Sequence, residues 1–221
     1  MIVIILLFCG QNSWAQRKCH EITREFSIHE KVDFYRNKQR LFEPKEITFL
    51  VEGDQPASKM QIESYWVDRK FGNVFSSSQV YLSIDNTFVI KEYAHDSDLA
   101  MYDILVTEFY LENNLEVPAI FNYSRNAFAP DKSPIYIVKE YKVGLDITER
   151  RELGIKFNEE YHLKKEQFSR AFSGFKKWVK KHKYGDIYMK RNSKSAWTLD
   201  GDFNEPKNWI LSADGWILID P

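Results

Sequence analysis

Residues 199–221 read LDGDFNEPKNWILSADGWILIDP. This stretch contains two apolar runs, Trp209–Leu211 and Trp216–Ile219, which are separated by a Ser-Ala-Asp-Gly turn. An Asp-Gly pair between two apolar runs is a strong signal for a β-hairpin. The hairpin would bring Asn208, which precedes the first run, close to Asp220, which follows the second run.

Three polar residues around this hairpin have the chemistry that phosphoryl transfer from ATP requires. Asp202 would accept the proton of an attacking hydroxyl, while Asn208 and Asp220 would hold Mg²⁺ on the phosphates. Each of these residue types alone is also common in turns. The prediction therefore depends on the order and spacing of all three.

A candidate phosphate-binding lysine lies upstream. Two strand-like runs, Val80–Ile84 and Thr87–Tyr93, are separated by the turn-forming pair Asp85–Asn86. Lys91 lies near the end of the second run, as does the lysine of the Val-Ala-Ile-Lys pattern, and its ammonium would point at the ATP phosphates. The alternative is a lysine that only protects a strand edge.

The segment after these strands has helical periodicity. From Ser97 onward, apolar residues recur at spacings of three and four, and Pro118 follows the end of the pattern. Glu108 lies on this predicted helix and would form an ion pair with Lys91. Glu112, one turn further on, is the alternative partner. The apolar positions are Leu99, Tyr102, Leu105, Val106, Phe109 and Tyr110.

Together these residues resemble the protein-kinase-like superfamily, in particular the aminoglycoside and choline phosphotransferases and compact bacterial effector kinases. The catalytic stretch of the small-molecule branch reads roughly His-Gly-Asp-Leu-x-x-x-Asn, and its metal-binding Asp often lies in an Ile-Asp-Pro context. Gly201–Phe203 and Ile219–Pro221 carry that likeness here. The resemblance runs from about Phe71 to Pro221.

The resemblance implies an α+β, bilobal protein-kinase-like fold. A small antiparallel-sheet N-lobe would span residues 61–141, and a reduced, mostly helical C-lobe would span residues 142–221. Its activity would be the transfer of the γ-phosphate of ATP, with Mg²⁺, to a hydroxyl of a small molecule or a protein. Lys91 and Glu108 would act with Asp202 in catalysis.

The resemblance also implies where the nucleotide binds. Ser78 and Val80 lie at the position of the glycine-rich loop and would contact the phosphates together with Lys91. Glu140 and Tyr141 follow a strand-like run and resemble the linker whose backbone groups meet the adenine. Asn208 and Asp220 would be the metal ligands.

Several departures favour an alternative, a non-catalytic pseudokinase that binds or scaffolds. Asp200 replaces the usual histidine, and Asp202 and Asn208 are six residues apart where the family pattern has five. The glycine-rich loop is nearly absent, and Lys139 stands where a kinase usually has an apolar residue behind the adenine. The chain also stops one residue after Asp220, which makes a truncated secreted effector a further alternative.

Composition and the N-terminus give the remaining expectations. The 221 residues are 43% hydrophobic and 29% charged, which is ordinary for a globular protein. The formal net charge of −1 argues against a general nucleic-acid binder. Apolar residues 1–10 followed by Ser13-Trp14-Ala15 predict a signal peptide over residues 1–15.

Cleavage of this signal peptide would leave no membrane span and would place the protein outside the cell or in the periplasm. Without a signal peptide, the location would be cytoplasmic. Residues 16–60 form a predicted N-terminal extension with one strand at Ile47–Val51. The histidines and cysteines have no spacing typical of metal ligands.

Overall fold

A computed structural model of the chain describes residues 41–51, 61–71, 78–95, 98–129, 131–192 and 202–220. The predicted signal peptide lies outside the described residues. The described part is an α+β fold. Its strands are β1 (Leu41–Val51), β2 (Gln61–Phe71), β3 (Gln79–Ser83), β4 (Phe88–Tyr93), β5 (Ile120–Tyr123), β6 (Ile135–Glu140), β7 (Trp209–Ser212) and β8 (Gly215–Leu218). Its helices are α1 (Asp98–Glu112), α2 (Ile147–Glu152), α3 (Glu159–Phe172), α4 (Phe175–Val179) and α5 (Gly185–Asn192).

The first six strands form one antiparallel sheet in the order β1-β2-β3-β4-β6-β5. The strands predicted at 80–84 and 87–93 are confirmed as β3 and β4, each within one residue. Asn86 in the turn between them has a φ of +58°, a conformation that asparagine tolerates well. β1 belongs to the same sheet, although it lies within the predicted extension 16–60.

The two faces of the sheet have different roles. On one face Ile90 and Val138 pack with Phe49 and Val67 in a small apolar core. The other face is covered by α1, which is apolar around most of its circumference and is buried between the sheet and the later helices. The large core of the protein therefore centres on α1.

The predicted C-terminal hairpin is confirmed as β7 and β8, which pair in antiparallel register. Gly215 in its turn has a φ of +124°, which favours glycine. Trp209 and Trp216 anchor the hairpin in the large core. Backbone hydrogen bonds in both directions between Leu145 and Leu211, of 2.9 and 3.1 Å, tie the hairpin to the linker that follows β6.

Across the described ranges, no helix combines the length and apolar character that crossing a bilayer requires. The helices that follow the linker are short, and the longest of them is α3 with 14 residues.

Candidate functional site

Lys91 joins three distant segments of the chain. It lies on β4, and only 6% of it is exposed. Its Nζ donates to Asp103 Oδ2 of α1 at 2.9 Å and to Asp220 Oδ1 beyond β8 at 2.5 Å. A single ammonium group therefore connects the sheet, the central helix and the end of the hairpin.

Asp103 is shared with a second buried lysine. Lys139 Nζ donates to Asp103 Oδ1 at 2.8 Å and to Thr107 Oγ1 at 3.0 Å. The Tyr93 hydroxyl donates to Asp103 Oδ2 at 2.9 Å. We call Lys91, Lys139, Asp103 and Asp220 the lysine–aspartate cluster.

Strand register explains why both lysines reach the same helix. Lys91 lies opposite Ile137 in the ladder of β4 and β6. Side chains two residues apart on a strand share a face, so Lys139 projects from the same face as Ile137 and Lys91. On α1, Asp103 and Thr107 are four residues apart, which places both on the side of the helix that faces the lysines.

The charges of the cluster shift its pKa values in a consistent way. Burial raises the pKa of Asp103, but Lys139 and Lys91 outweigh it and hold that pKa below its usual value. Burial lowers the pKa of Lys91, but Asp103 and Asp220 together raise it well above its ordinary value. Lys139 has only one of these carboxylates in hydrogen-bond contact, and burial lowers its pKa. The Asp103 carboxylate is therefore held in its ionised form between two lysines.

The predicted ion pair between Lys91 and Glu108 is wrong. Glu108 is five residues after Asp103, which is about 140° around a helix. Its carboxylate instead lies 3.0 Å from His182 Nε2. The alternative partner Glu112 accepts a hydrogen bond from Trp178 Nε1.

Sequence reasoning missed Asp103, although a signal for it exists. Asp103 stands in a nearly continuous apolar segment of α1, and an ionised side chain buried there requires a partner of opposite charge. A threonine four residues later, on the same side of the helix, adds to the signal.

The hairpin brings the two predicted metal ligands together. Ile219 N donates to Asn208 O at 2.8 Å, so Asn208 and Asp220 lie at adjacent ends of the hairpin. Asn208 is buried, while the Asp220 side chain is 41% exposed. Carboxylate and carboxamide oxygens suit Mg²⁺, which usually takes one or two such ligands together with phosphates and water. The described residues include no group of three or more His, Cys, Asp or Glu side chains suited to a metal ion.

A buried arginine supports the loop that carries Asn208. The carboxylate and backbone of Asp146 form a capping box with Glu149 that begins α2 and places Arg150 beneath this loop. Arg150 Nη2 donates to the carbonyls of Pro206 at 2.9 Å and Trp209 at 3.1 Å, on either side of Asn208.

The environment of Arg150 is largely apolar. Its guanidinium lies 4.8 Å from the ring centre of Trp216 and 5.1 Å from that of Phe157. Burial lowers the pKa of Arg150, and its Nη1 is buried without a hydrogen-bond partner. The sequence contained no signal for this role, because the contacts are to backbone carbonyls.

The structure describes only the backbone of Asp202, the predicted base. It begins a 3₁₀ turn, Asp202–Asn204, whose Phe203 is buried in the large core. The Phe203 carbonyl accepts a hydrogen bond from Trp209 Nε1 at 2.8 Å, which ties this turn to the hairpin. The Asp202 side chain and Asp200 lie outside the described part of the chain.

The predicted nucleotide contacts lie along β3 and after β6. Val80 is opposite Lys91 in the ladder of β3 and β4, so the two side chains share a face. Ser78 is buried just before β3.

The linker residues are held from both sides. Glu140 N donates to Ala119 O at 2.8 Å, and the Glu140 carboxylate binds Lys142 Nζ at 2.7 Å. Tyr141 N donates to Thr87 O at 3.1 Å. Both predicted residues therefore have their backbone N–H groups engaged within the protein.

No protein-family model matches this chain, and no curated protein matches it either. The chemistry of the site must therefore be inferred from its own residues.

Proposed function

We propose that this protein is an ATP- and Mg²⁺-dependent phosphotransferase with a bilobal, kinase-like arrangement, which transfers the γ-phosphate to a hydroxyl of a small molecule or a protein. The observation that carries the proposal is the contact of Lys91 Nζ with both Asp103 and Asp220. Phosphoryl transfer in kinases uses a strand lysine that is held by a helix carboxylate beside a metal-binding aspartate.

The fold supports this assignment of parts. The six-stranded sheet with α1 would be the N-lobe, and helices α2 to α5 with the hairpin would be the C-lobe. The Leu145–Leu211 bridge lies directly after the linker, where a cleft between two such lobes would be closed at its back. In this arrangement Lys91 faces the cleft from the sheet, and Asp220 faces it from the hairpin.

Each residue would have a defined role. Lys91 would bind the phosphates, with Asp103 taking the orienting role that the sequence predicted for Glu108. Asn208 and Asp220 would hold Mg²⁺, which when bound neutralises negative charge on the phosphates. Asp202 would accept the proton of the acceptor hydroxyl.

The nucleotide would lie between the sheet and the linker. Val80 shares the face of Lys91 and would contact the phosphate end, together with Ser78. Glu140 and Tyr141 would lie beside the base, at the start of the linker.

Binding of the nucleotide would change the partners of Lys91. In the structure, Lys91 is bonded directly to Asp220, and the same two groups would serve the phosphates and the metal. Asp220 is partly exposed and lies near the end of the described chain, whereas Asp103 is buried in α1. Lys91 would therefore keep Asp103 and exchange Asp220 for a phosphate oxygen.

The first experiment is isothermal titration calorimetry with Mg-ATP. We expect the wild-type chain to bind, and both Lys91→Met and Asp220→Asn to bind at least tenfold more weakly, roughly the effect of removing a charge-assisted contact. Lys180→Met, which removes an exposed charge far along the chain on the loop after α4, is the matched control. A folded wild-type chain that gives no heat with Mg-ATP would refute the proposal.

The second experiment tests transfer. Radiolabelled ATP is supplied with a panel of small alcohols or with a host-cell lysate, and Asp202→Asn serves as the inactive variant. Label on one alcohol identifies a small-molecule kinase, and label on a lysate protein identifies a protein kinase.

A pseudokinase is the second candidate, and one observation favours it. The backbone N–H groups of Glu140 and Tyr141, which would meet the adenine, already donate to Ala119 O and Thr87 O, so neither is open to the base. A folded chain that does not bind Mg-ATP, or that binds it without transfer to any acceptor and with an unchanged ATP pool over hours, would favour this candidate.

A further inference from the structure

We propose that Lys139 supplies the positive charge that allows the lysine–aspartate cluster to bind an anion, and that it acts as a positioning residue through Asp103. The inference rests on the proposed function, because it concerns the binding of the same phosphates. It assigns a role to a residue that the phosphotransferase pattern leaves without one.

The two oxygens of the Asp103 carboxylate bind different lysines. Oδ1 accepts from Lys139 at 2.8 Å, and Oδ2 accepts from Lys91 at 2.9 Å. Each lysine therefore has its own oxygen. The Thr107 hydroxyl contacts both Lys139 Nζ and Asp103 Oδ1, which fixes the geometry on the Lys139 side.

The net charge of the lysine–aspartate cluster depends on whether Asp220 belongs to it. The complete cluster has two positive lysines and two negative aspartates. When Asp220 turns to a metal ion, Lys91, Lys139 and Asp103 remain, with a net charge of +1. Without Lys139, Asp103 alone would neutralise Lys91, and the remaining pair would present no net charge to a phosphate.

Lys139 is too deeply buried to contact a ligand directly. Lys139 is 1% exposed, and both of its hydrogen bonds go to α1. Lys91, by contrast, is bonded to the partly exposed Asp220 and can exchange that partner. Lys139 therefore affects a bound anion only through Asp103 and through its charge.

The test compares binding of inorganic tripolyphosphate in the presence of Mg²⁺, by calorimetry, across a charge series, with Mg-ATP as a second probe. Lys139→Met should weaken tripolyphosphate binding about 15-fold, which is roughly the effect of removing one unit charge at an assumed separation of about 10 Å and an effective dielectric constant of about 20. Lys139→Met/Asp103→Asn should bind more tightly than Lys139→Met, because the double variant recovers the net charge of +1, although Lys91 loses the carboxylate that orients it. Lys139→Arg, which keeps the charge, should also bind.

A merely structural role for Lys139 predicts a different result. Removal of Asp103 in addition to Lys139 would then damage the site further, and the double variant would bind no better than the single variant. Lys180→Met changes the net charge of the chain equally and should leave binding unchanged. Circular dichroism establishes that each variant is folded, and if Lys139→Met alone does not fold, the double variant decides the question.

The outcomes separate this inference from the proposed function. Wild-type binding that persists unchanged in Lys139→Met, or a folded double variant that binds no better than Lys139→Met, would overturn the role of Lys139 and leave the phosphotransferase proposal standing. A wild-type chain that binds neither tripolyphosphate nor Mg-ATP would overturn both.

Discussion

Replacement of Asp103 by asparagine should destabilise the fold strongly. Asp103 is 2% exposed and is the shared partner of two buried lysines. Removal of one partner from a buried ion pair typically costs about 3–5 kcal/mol, because the other charge is left uncompensated. Lys91 would retain Asp220, and Lys139 would retain the Thr107 hydroxyl. We therefore expect a loss near the lower end, about 3 kcal/mol.

Urea unfolding followed by tryptophan fluorescence measures this loss, since Trp209 and Trp216 are buried and report on the core. Glu108→Gln is the matched control on the same helix. Its ion pair with His182 is partly exposed, so its loss should cost less than about 1 kcal/mol. Equal losses in the two variants, or a loss below about 1 kcal/mol for Asp103→Asn, would refute the central place of Asp103.

The same variant has a defined pH dependence. The two lysines hold the pKa of Asp103 below its unfolded value in the folded protein. A carboxylate with a lowered pKa stabilises the fold above the unfolded value, about 3.9. This stabilisation is lost as the pH falls from there toward the folded-state pKa. The difference in unfolding free energy between wild type and Asp103→Asn should therefore shrink below about pH 4, and a constant difference from pH 7 to pH 3 would contradict it.

Three further variants test the surrounding structure. Gly215→Ala should lower the free energy of unfolding by about 1–3 kcal/mol, because alanine is strained at the positive φ of this position. Asp214→Ala in the same turn is the control and should change that free energy by less than about 0.5 kcal/mol. Equal melting temperatures of the two variants would refute the prediction. Arg150→Met should lower the free energy of unfolding, measured in urea, by about 2–4 kcal/mol, because two loop carbonyls lose their donor. If Arg150→Met lowered it less than Arg150→Lys does, the prediction would be wrong. Asp220→Asn should lower the free energy of unfolding by less than about 1 kcal/mol, because the ion pair of Asp220 with Lys91 is partly exposed. The same variant should abolish the proposed phosphate transfer. Retained transfer would exclude Asp220 as a metal ligand.

The elements that the sequence predicted well depend on local chemistry. The turn between β3 and β4 and the turn of the hairpin each join short apolar runs, and both are confirmed. The hairpin also brings Asn208 and Asp220 together, since antiparallel pairing fixes which residues lie opposite each other. The proximity of Lys91 to Asp220 followed from the resemblance to kinases, and the structure places the two groups in contact.

The ion-pair partner of Lys91 could not be obtained from periodicity. An amphipathic helix shows which side faces the core, but α1 is buried around most of its circumference. Its apolar positions therefore do not indicate which side faces the sheet. Glu108 was selected for its residue type, whereas Asp103 has the position that the strand register of Lys91 and Lys139 requires.

The charge balance of the cluster also limits what can bind there. Lys91 is buried, and its ammonium keeps the hydrogen bond to the Asp103 carboxylate when Asp220 moves away. A neutral ligand in place of Asp220 would leave the three remaining groups with a net charge of +1, whereas an anionic group would restore the balance that Asp220 provides. An anionic group would therefore replace Asp220 more favourably than a neutral group would. Under the proposed function, a site that exchanged Asp220 for an external anion would favour the phosphate end of a ligand over a neutral part of it, and this would set the orientation in which ATP enters.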